Sequence, residues 1–158
     1  MGSMWDDICE FHQKFKIPQT EVPGIHNDEM IQFRMNFLKE ELQEFEDALA
    51  CNDTTMAFDA LIDLVYVAMG TAYICNFPFD EGWEHVHTAN MMKERVKQKS
   101  ASKRLTTYDI VKPEGWVAPD KMLTVLLLQR QHQLEMAKFV TSRPIEDEDA
   151  LHEDATRH

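Results

Sequence analysis

Residues 54–75 read TTMAFDALIDLVYVAMGTAYIC, a stretch that is apolar over most of its length and contains neither proline nor a basic residue. This pattern predicts one long helix, for which Asp53 is a suitable N-cap. Because its polar stripe is narrow, such a helix is typically central in a bundle or covered by a partner subunit. Of the 158 residues, 44% are hydrophobic, and the chain has only 5 Gly and 6 Pro. These values favour an all-α domain over a β-sandwich or barrel.

Four further segments around this helix show apolar residues at helical spacing. Only the polar residues 52–55 separate the long helix from the helix before it, so we expect these two to form an antiparallel hairpin. The fold class predicted from the sequence is an all-α bundle of about four to five helices, completed by oligomerisation. Its helices are a first from about Trp5 to Lys16, a second from a cap at Asn27 or Asp28 to about Cys51, a third from Thr54 to Cys75, a fourth from a cap at Asp80 to about Lys99, and a last from a cap at Asp120 to about Val140.

The chain is predicted to hold a single domain over residues 4–143. Within it, the helical core covers about 5–99, and an aromatic loop and a C-terminal helix occupy 100–141. The acidic residues 144–158 are predicted to be a disordered tail. Residues 1–3, Met-Gly-Ser before a second methionine, are typical of an artificial N-terminal extension.

Charge and composition exclude several classes of protein. A net charge of −12 and a pI of about 4.9 disfavour nucleic-acid binding, because a phosphate backbone would be repelled over most of the surface. The three cysteines (Cys9, Cys51 and Cys75) form no C-x-x-C pair and predict reduced thiols in a cytoplasmic protein without a zinc site. The longest apolar run, Leu61 to Cys75, falls short of the roughly 20 residues of a membrane helix, so we expect no membrane association.

Two pairs of carboxylates carry the strongest chemical signal. Glu41 and Glu44 are three positions apart on the second helix, and Asp59 and Asp63 are four apart on the third, so each pair shares one helix face. The hairpin would place the two pairs opposite each other, and no Lys or Arg lies between residues 40 and 92. We predict that they bind one or more divalent cations, Mg²⁺ or Mn²⁺. The alternative is that a lysine from another helix neutralises them.

A basic cluster follows the fourth predicted helix, against the acidic character of the chain. It comprises Lys93, Arg95, Lys97, Lys99, Lys103 and Arg104. Beside a metal site, such a cluster could hold phosphate groups. Alternatively, it is a solvated helix end on which positive charge is favourable. On the second helix, Arg34 falls among the charged residues opposite the apolar face.

The carboxylate motifs resemble those of the all-α nucleoside triphosphate pyrophosphohydrolases, the superfamily of MazG, the all-α dUTPases and phosphoribosyl-ATP pyrophosphohydrolase. The resemblance begins with Glu40-Glu41-x-x-Glu44 and continues through residues 59–67 and Gly70-Thr71-Ala72. Further matches are Phe11-His12, Val86-His87-x-x-Asn90-Met91-x-Lys93, and Tyr108-Asp109-x-Val111-Lys112-Pro113-x-Gly115-Trp116. One position departs, because the superfamily has Glu where Ala60 stands here, and Asp59 is the candidate substitute.

The resemblance implies hydrolysis between the α and β phosphates of a nucleotide, with Mg²⁺ as cofactor (Mn²⁺ being the other candidate) and a homodimer or homotetramer as the assembly. The catalytic residues implied are Glu40, Glu41, Glu44 and Asp63, and the metal ligands implied are Glu41, Glu44, Asp59 and Asp63. Substrate phosphates or sugar would contact Asn90, Lys93 and Lys112. The base would need an apolar or aromatic slot, for which the candidates are His12, Phe15, Tyr66 and Trp116.

The preferred function is thus a Mg²⁺-dependent nucleoside triphosphate pyrophosphohydrolase that releases the monophosphate and pyrophosphate. Phosphoribosyl-ATP or an alarmone is the alternative substrate. A non-catalytic helical partner protein is the alternative of another class. A ferritin-like oxidase fits less well, because it needs two Glu-x-x-His elements and the chain shows one, Glu84 to His87.

Overall fold

In residues 2–25 and 29–141, which the computed structural model describes, the chain forms five α-helices, one 3₁₀ turn at Lys99–Ala101 and a small two-stranded sheet. The predicted all-α class is confirmed. The elements are α1 (Met4–Lys14), α2 (Glu29–Ala50), α3 (Thr54–Ile74), α4 (Phe79–Met91), β1 (Glu94–Arg95), β2 (Ile110–Val111) and α5 (Asp120–Thr141). The caps predicted for α2 at residues 27 and 28, and the tail at 144–158, lie outside the described residues.

The ends of the first and third helices follow from local hydrogen bonds. The Asp53 carboxylate accepts from the backbone N–H groups of Thr55 and Met56, both at 3.0 Å, so the predicted N-cap of α3 is confirmed. Ser3 and Asp6 form a reciprocal capping box at the start of α1. That helix ends at Lys14, two residues earlier than predicted, because Lys16 adopts a left-handed φ of 53°.

Helices α2 and α3 pack as an antiparallel hairpin, as predicted. The connection is short because Asn52 adopts a left-handed φ of 53°, which asparagine tolerates better than most residues. Helix α1 crosses the C-terminal half of α3, where Ile8 packs with Met69, Tyr73 and Ile74 in the core. The core therefore lies at the C-terminal end of α3, and the acidic N-terminal half of α3 packs against α2.

The three helices approach most closely at Gly70. A Cβ at this position would lie 2.8 Å from His12 Cε1 and 2.9 Å from Arg34 Nη2, so only glycine fits without displacement. Arg34 is buried and donates from Nε to Thr71 Oγ1 at 3.1 Å and from Nη2 to the Val67 carbonyl at 2.6 Å. The sequence placed Arg34 on the exposed polar face, which is wrong: its long side chain ties α2 to α3.

Helix α4 differs from its prediction at both ends. It begins at Phe79 with Pro78 at the N-cap, so Asp80 lies inside the first turn and does not cap it. It ends at Met91 and not at Lys99, because the next residues form strand β1, which pairs antiparallel with β2. Residues 93–99 have good intrinsic helix propensity, which the tertiary pairing overrides.

Helix α5 lies at the periphery of the bundle, where its main contact is with α4. The helix begins at Asp120, so this residue lies in the first turn and is not the N-cap that the sequence predicted. Helix α5 has no fully buried residue. Its connection to the end of α3 is polar, since Arg130 donates from Nε and Nη2 to Asn76 Oδ1 at 3.1 and 3.0 Å.

Helix α3 is only partly enclosed by the chain. Its C-terminal half is buried, whereas apolar residues of its N-terminal half are exposed: Met56, Phe58, Leu61, Ile62 and Val65. Over Thr54–Ile74 the helix is also long and apolar enough to cross a membrane, which the sequence analysis did not anticipate. Core helices of soluble proteins meet the same criterion, so the absence of membrane association stays a prediction.

Candidate active site

The hairpin brings the predicted carboxylates into one electrostatic neighbourhood. Glu41 lies on the inner side of α2 with 6% of its surface exposed, while the other carboxylates are solvent-accessible. Neither ion pair in the described part of the chain involves any of them, so the alternative of a neutralising lysine finds no support there. The group consists of Glu40, Glu41 and Glu44 on α2 with Asp59 and Asp63 on α3.

Glu41 is the electrostatic centre of this cluster. Burial first, and then the negative charges of Glu44, Asp63, Glu40 and Asp59, raise the pKa of its carboxyl above the usual 4.5. Its Oε2 atom is buried and accepts no hydrogen bond within the described residues. A buried carboxylate oxygen that faces four further carboxylates is stabilised by a proton or a cation.

The donor set matches a hard divalent cation in kind, because all of its side-chain ligands are carboxylate oxygens. Across residues 2–25 and 29–141, no three Asp, Glu, His or Cys side chains stand close enough together to coordinate a metal ion as they are arranged. The metal ligands Glu41, Glu44, Asp59 and Asp63 therefore remain a prediction, supported by the orphaned Glu41 oxygen and the number of converging charges.

Glu41→Gln is expected to raise the thermal stability of the metal-free protein at pH 8 and to leave it nearly unchanged at pH 4. The raised pKa means that, above 4.5, the folded state holds a proton that the unfolded state has lost. Stability therefore falls as the pH rises through this interval. Glutamine removes that cost. Melting temperatures of both proteins in EDTA from pH 4 to 8 test this, with Glu46→Gln as the control on the same helix. An equal gain at both ends would contradict the buried-charge explanation.

Four of the predicted substrate contacts form a second cluster where α4 ends. Lys93 Nζ donates to Asn90 Oδ1 at 2.7 Å. The Lys112 and Lys93 ammonium groups lie 4.3 and 5.3 Å from the centroid of the Trp116 ring, as cation–π pairs. Trp116 is itself held by a 2.7 Å hydrogen bond from its indole N–H to the Ala89 carbonyl. The tryptophan is therefore an anchor that positions two cations.

Asp109 organises the basic segment next to this cluster. Its Oδ2 accepts from Ser102 Oγ at 2.7 Å, and its Oδ1 accepts from Arg104 Nη1 at 2.6 Å and from the Ile110 N–H at 2.9 Å. The hydrogen bond from Ser102 contributes most to lowering the pKa of this carboxyl, and those from Ile110 and Arg104 lower it further. Cavities of about 640 and 670 Å³ adjoin here, and Lys93 and Arg104 line both. This neighbourhood suits phosphate groups.

The remaining predicted contacts lie away from that cluster, on the α1 side of α3. His12 is 1% exposed and its Nδ1 is 2.8 Å from the Ile8 carbonyl, so it packs α1 onto α3 and cannot touch a substrate in this conformation. Burial lowers the pKa of His12, and the charge of Arg34 lowers it as well. Tyr66 packs edge-on against Phe11, and Phe15 is exposed beside the same ring. The structure offers no support for a base slot made by these residues.

A family model described as phosphoribosyl-ATP pyrophosphohydrolase matches residues 8–90. The chain belongs to this family. The match covers just over half of the chain and contains both carboxylate motifs, which agrees with the resemblance to the all-α nucleoside triphosphate pyrophosphohydrolases. A comparison with curated proteins finds no match.

Membership in the phosphoribosyl-ATP pyrophosphohydrolase family indicates pyrophosphohydrolase activity on nucleotide-like substrates. The matched residues include α2, α3 and nearly all of α4, up to Asn90. The strands, Lys93, Lys112, Trp116 and α5 follow the match. The family match thus contains both carboxylate pairs, whereas the basic segment and the last helix lie beyond its end.

Sequence reasoning missed two groups at or near the site. One feature of the sequence pointed to the Ser102–Arg104–Asp109 network: a lone aspartate lies inside a basic stretch, and a buried aspartate needs a partner. Arg34 had a weaker signal, since the glycine in an otherwise bulky α3 marks a close approach by another element. Neither signal identifies the partner by itself, because the fold of the loop brings Ser102 and Arg104 to Asp109, and Arg34 reaches partners on another helix.

Proposed function

We propose that this member of the phosphoribosyl-ATP pyrophosphohydrolase family hydrolyses nucleoside triphosphates or their deoxy forms between the α and β phosphates, with Mg²⁺ or Mn²⁺ as cofactor. The observation that carries the proposal is the buried Glu41 carboxylate with its orphaned Oε2, surrounded by four carboxylates from two helices. Structural salt bridges do not explain this concentration of charge, because no cation of the described residues neutralises it.

In this proposal Glu41, Glu44, Asp59 and Asp63 hold the cation, and Glu40 orients or deprotonates the attacking water. When bound, the cation neutralises the phosphates and lowers the pKa of a coordinated water. The water attacks the α-phosphorus in line, the bond to the bridging oxygen breaks, and pyrophosphate leaves while the monophosphate keeps the new oxygen. Asp59 takes the place that Ala60 leaves vacant in the superfamily pattern.

The phosphate chain is assigned to the cluster at the end of α4. Lys93 and Lys112 both present ammonium groups to the Trp116 ring, and Asn90 fixes Lys93 by the 2.7 Å hydrogen bond. Cations held in place neutralise a polyphosphate with less loss of side-chain entropy than free lysines would. Phosphoribosyl-ATP is the second candidate substrate, because the matching family model carries that description.

A substrate screen tests the proposal directly. The purified protein is incubated with canonical and modified nucleoside triphosphates, phosphoribosyl-ATP and an alarmone, with and without Mg²⁺, and the products are separated by chromatography. Metal-dependent release of pyrophosphate and a monophosphate from a triphosphate is the expected result. Pyrophosphate release from phosphoribosyl-ATP or the alarmone alone would mean that this compound, and not a nucleoside triphosphate, is the substrate. Silence across the panel would favour a non-catalytic helical protein.

A second copy of the chain is proposed to cover the exposed apolar face of the hairpin. Phe58 is 67% exposed, and Leu61, Ile62 and Val65 follow it on α3, while Phe33, Leu42 and Leu49 are exposed on α2. Large exposed apolar side chains on one hairpin are typical of an interface. It adjoins Asp59 and Asp63, so a homodimer or homotetramer would also enclose the carboxylate cluster and exclude water from it.

Phe58→Asp is expected to shift the protein from an oligomer to a monomer in sedimentation and light-scattering measurements. The new carboxylate would be buried without a partner in the interface, at a cost of several kcal/mol. Val117→Asp is the matched control, because Val117 is 70% exposed in the loop before α5 and lies outside the proposed interface. A wild-type monomer, or an unchanged mass for the Phe58 variant, would contradict the proposed face.

A further inference from the structure

A cavity of about 410 Å³ lies at the opposite end of α3 from the carboxylates. Tyr73 is in its wall, ten positions after Asp63, which corresponds to roughly 15 Å along the helix axis. The other walls come from α1, from the connection between α3 and α4, and from α5. Its volume is within the range of about 300–1,000 Å³ that is usual for small-molecule sites. Helix α5, which forms one wall of the pocket, lies beyond the end of the family match.

A fixed arginine is the charged feature of this pocket. Asn76 is 5% exposed, and its side-chain N–H donates to the Thr20 carbonyl at 3.0 Å, which turns its Oδ1 toward Arg130. Arg130 donates from Nε and Nη2 to that oxygen and forms no ion pair with the described residues. Its charge is therefore held in place by a neutral amide, and its Nη1 is free for an anion.

The rest of the lining is uncharged, with one exception. The Gln13, Gln129 and Gln133 amides line the cavity and make no hydrogen bond within the described part of the chain. Each amide offers both donors and an acceptor, as the edge of a nucleobase does. Trp5 and Tyr73 supply aromatic surface, with ring centroids 6.3 Å apart and ring planes inclined by 54°.

The exception, Glu81, limits the charge of the ligand. With Arg130 it makes the lining neutral overall, so a triphosphate would bring several negative charges against one cation. A single phosphate group suits Arg130, and the Glu81 carboxylate can accept from a sugar hydroxyl. The lining therefore matches a ligand with one phosphate and a flat ring that hydrogen-bonds along its edge.

We infer that this pocket, which we name the α5 pocket after the helix that closes it, binds a nucleoside monophosphate, separately from the carboxylate cluster. The choice of this ligand class rests on the proposed function, because a monophosphate is the product of that reaction. A bound monophosphate bridges Arg130 on α5 to Gln13 and Trp5 on α1. Binding therefore stabilises the docking of α5 and gives the product a second site through which it can regulate the enzyme.

The test measures binding without turnover. Equilibrium dialysis of the Glu44→Gln protein in EDTA, with each common nucleoside monophosphate, is expected to give one bound molecule per chain for the preferred base. Arg130→Gln is expected to weaken that binding at least tenfold. Gln133 is exposed and, within the described residues, makes no hydrogen bond that the substitution Gln133→Leu would remove. This variant should bind the monophosphate severalfold more weakly, and its circular dichroism spectrum should match that of the wild type. Hydrogen exchange of the α5 amides should slow when the monophosphate binds.

Lys93→Gln is the matched control, because it removes a cation from the basic cluster and not from the α5 pocket, and it should leave binding unchanged. Binding that is lost in Lys93→Gln and kept in Arg130→Gln would overturn the assignment and place the monophosphate at the end of α4. Failure of every monophosphate to bind would overturn it as well, as would inorganic phosphate or a nucleoside that binds as tightly. These outcomes do not depend on catalysis. The binding experiment can therefore support the pocket when the substrate screen contradicts the proposed function, and it can contradict the pocket when the screen supports that function.

Discussion

Glu44→Gln is expected to abolish pyrophosphate release while leaving the fold intact. Glu44 is exposed at the mouth of the carboxylate cluster, so the amide replaces it without a cavity or an unsatisfied buried group. Glutamine keeps the shape of the side chain but removes the negative charge that a divalent cation requires. We expect kcat/KM to fall by at least about a hundredfold, equivalent to about 2.7 kcal/mol of transition-state stabilisation.

Glu46→Gln is the appropriate control, since Glu46 is also exposed on α2, two positions further on, and its charge does not contribute to the raised pKa of Glu41. Activity of the control should remain within twofold of the wild type. The measurement is initial rate against Mg²⁺ concentration for all three proteins, with thermal denaturation as a check on folding. Normal Mg²⁺-dependent activity in Glu44→Gln would exclude it from the metal ligands.

Arg34→Ala is expected to lower the free energy of unfolding by about 2–3 kcal/mol. The substitution removes the hydrogen bonds to Thr71 Oγ1 and to the Val67 carbonyl and leaves a void between α2 and α3. Thr71 Oγ1 continues to donate to the Val67 carbonyl at 2.8 Å, which limits the loss. Urea denaturation at one fixed protein concentration measures the effect.

Gly70→Ala provides the coupled variant for that experiment. In the wild-type background the added methyl meets His12 and Arg34 below 3 Å, at a cost of about 1–3 kcal/mol. In the Arg34→Ala background one of the two obstacles is gone, so the cost should fall by at least about 0.5 kcal/mol. Arg95→Ala, at an exposed arginine, should change stability by less than about 0.5 kcal/mol. Strict additivity of the first two changes would contradict the close approach at Gly70.

The helical hairpin and its carboxylates were within reach of the sequence because both depend on local spacing. Asp53 caps α3 through hydrogen bonds to its own next residues. Glu41 and Glu44, like Asp59 and Asp63, share a face because an α-helix repeats every 3.6 residues. A short polar connection then favours antiparallel packing of the two helices. The electrostatic cluster around Glu41 follows from these facts alone.

The end of α4 could not be predicted in the same way. Lys, Glu, Arg and Gln in residues 93–99 favour a helix when judged one by one. The chain instead forms β1, because Val96 is buried and its N–H donates to the carbonyl of Asp109, thirteen residues further along the chain. The hydrogen-bond partners of this segment lie on β2 and just before it, outside the range that helix propensity considers.

By itself, the sequence determined the all-α class, the α2–α3 hairpin and the set of carboxylates, because each depends on spacing within a helix or across a short turn. Only the tertiary structure decided the burial of Arg34 and His12 around Gly70, the contacts of two lysines with the Trp116 ring, and the fixing of Arg130 by Asn76. These contacts join segments that are far apart in the chain. Their geometry is set by how the helices cross, and no local pattern of residues records that angle.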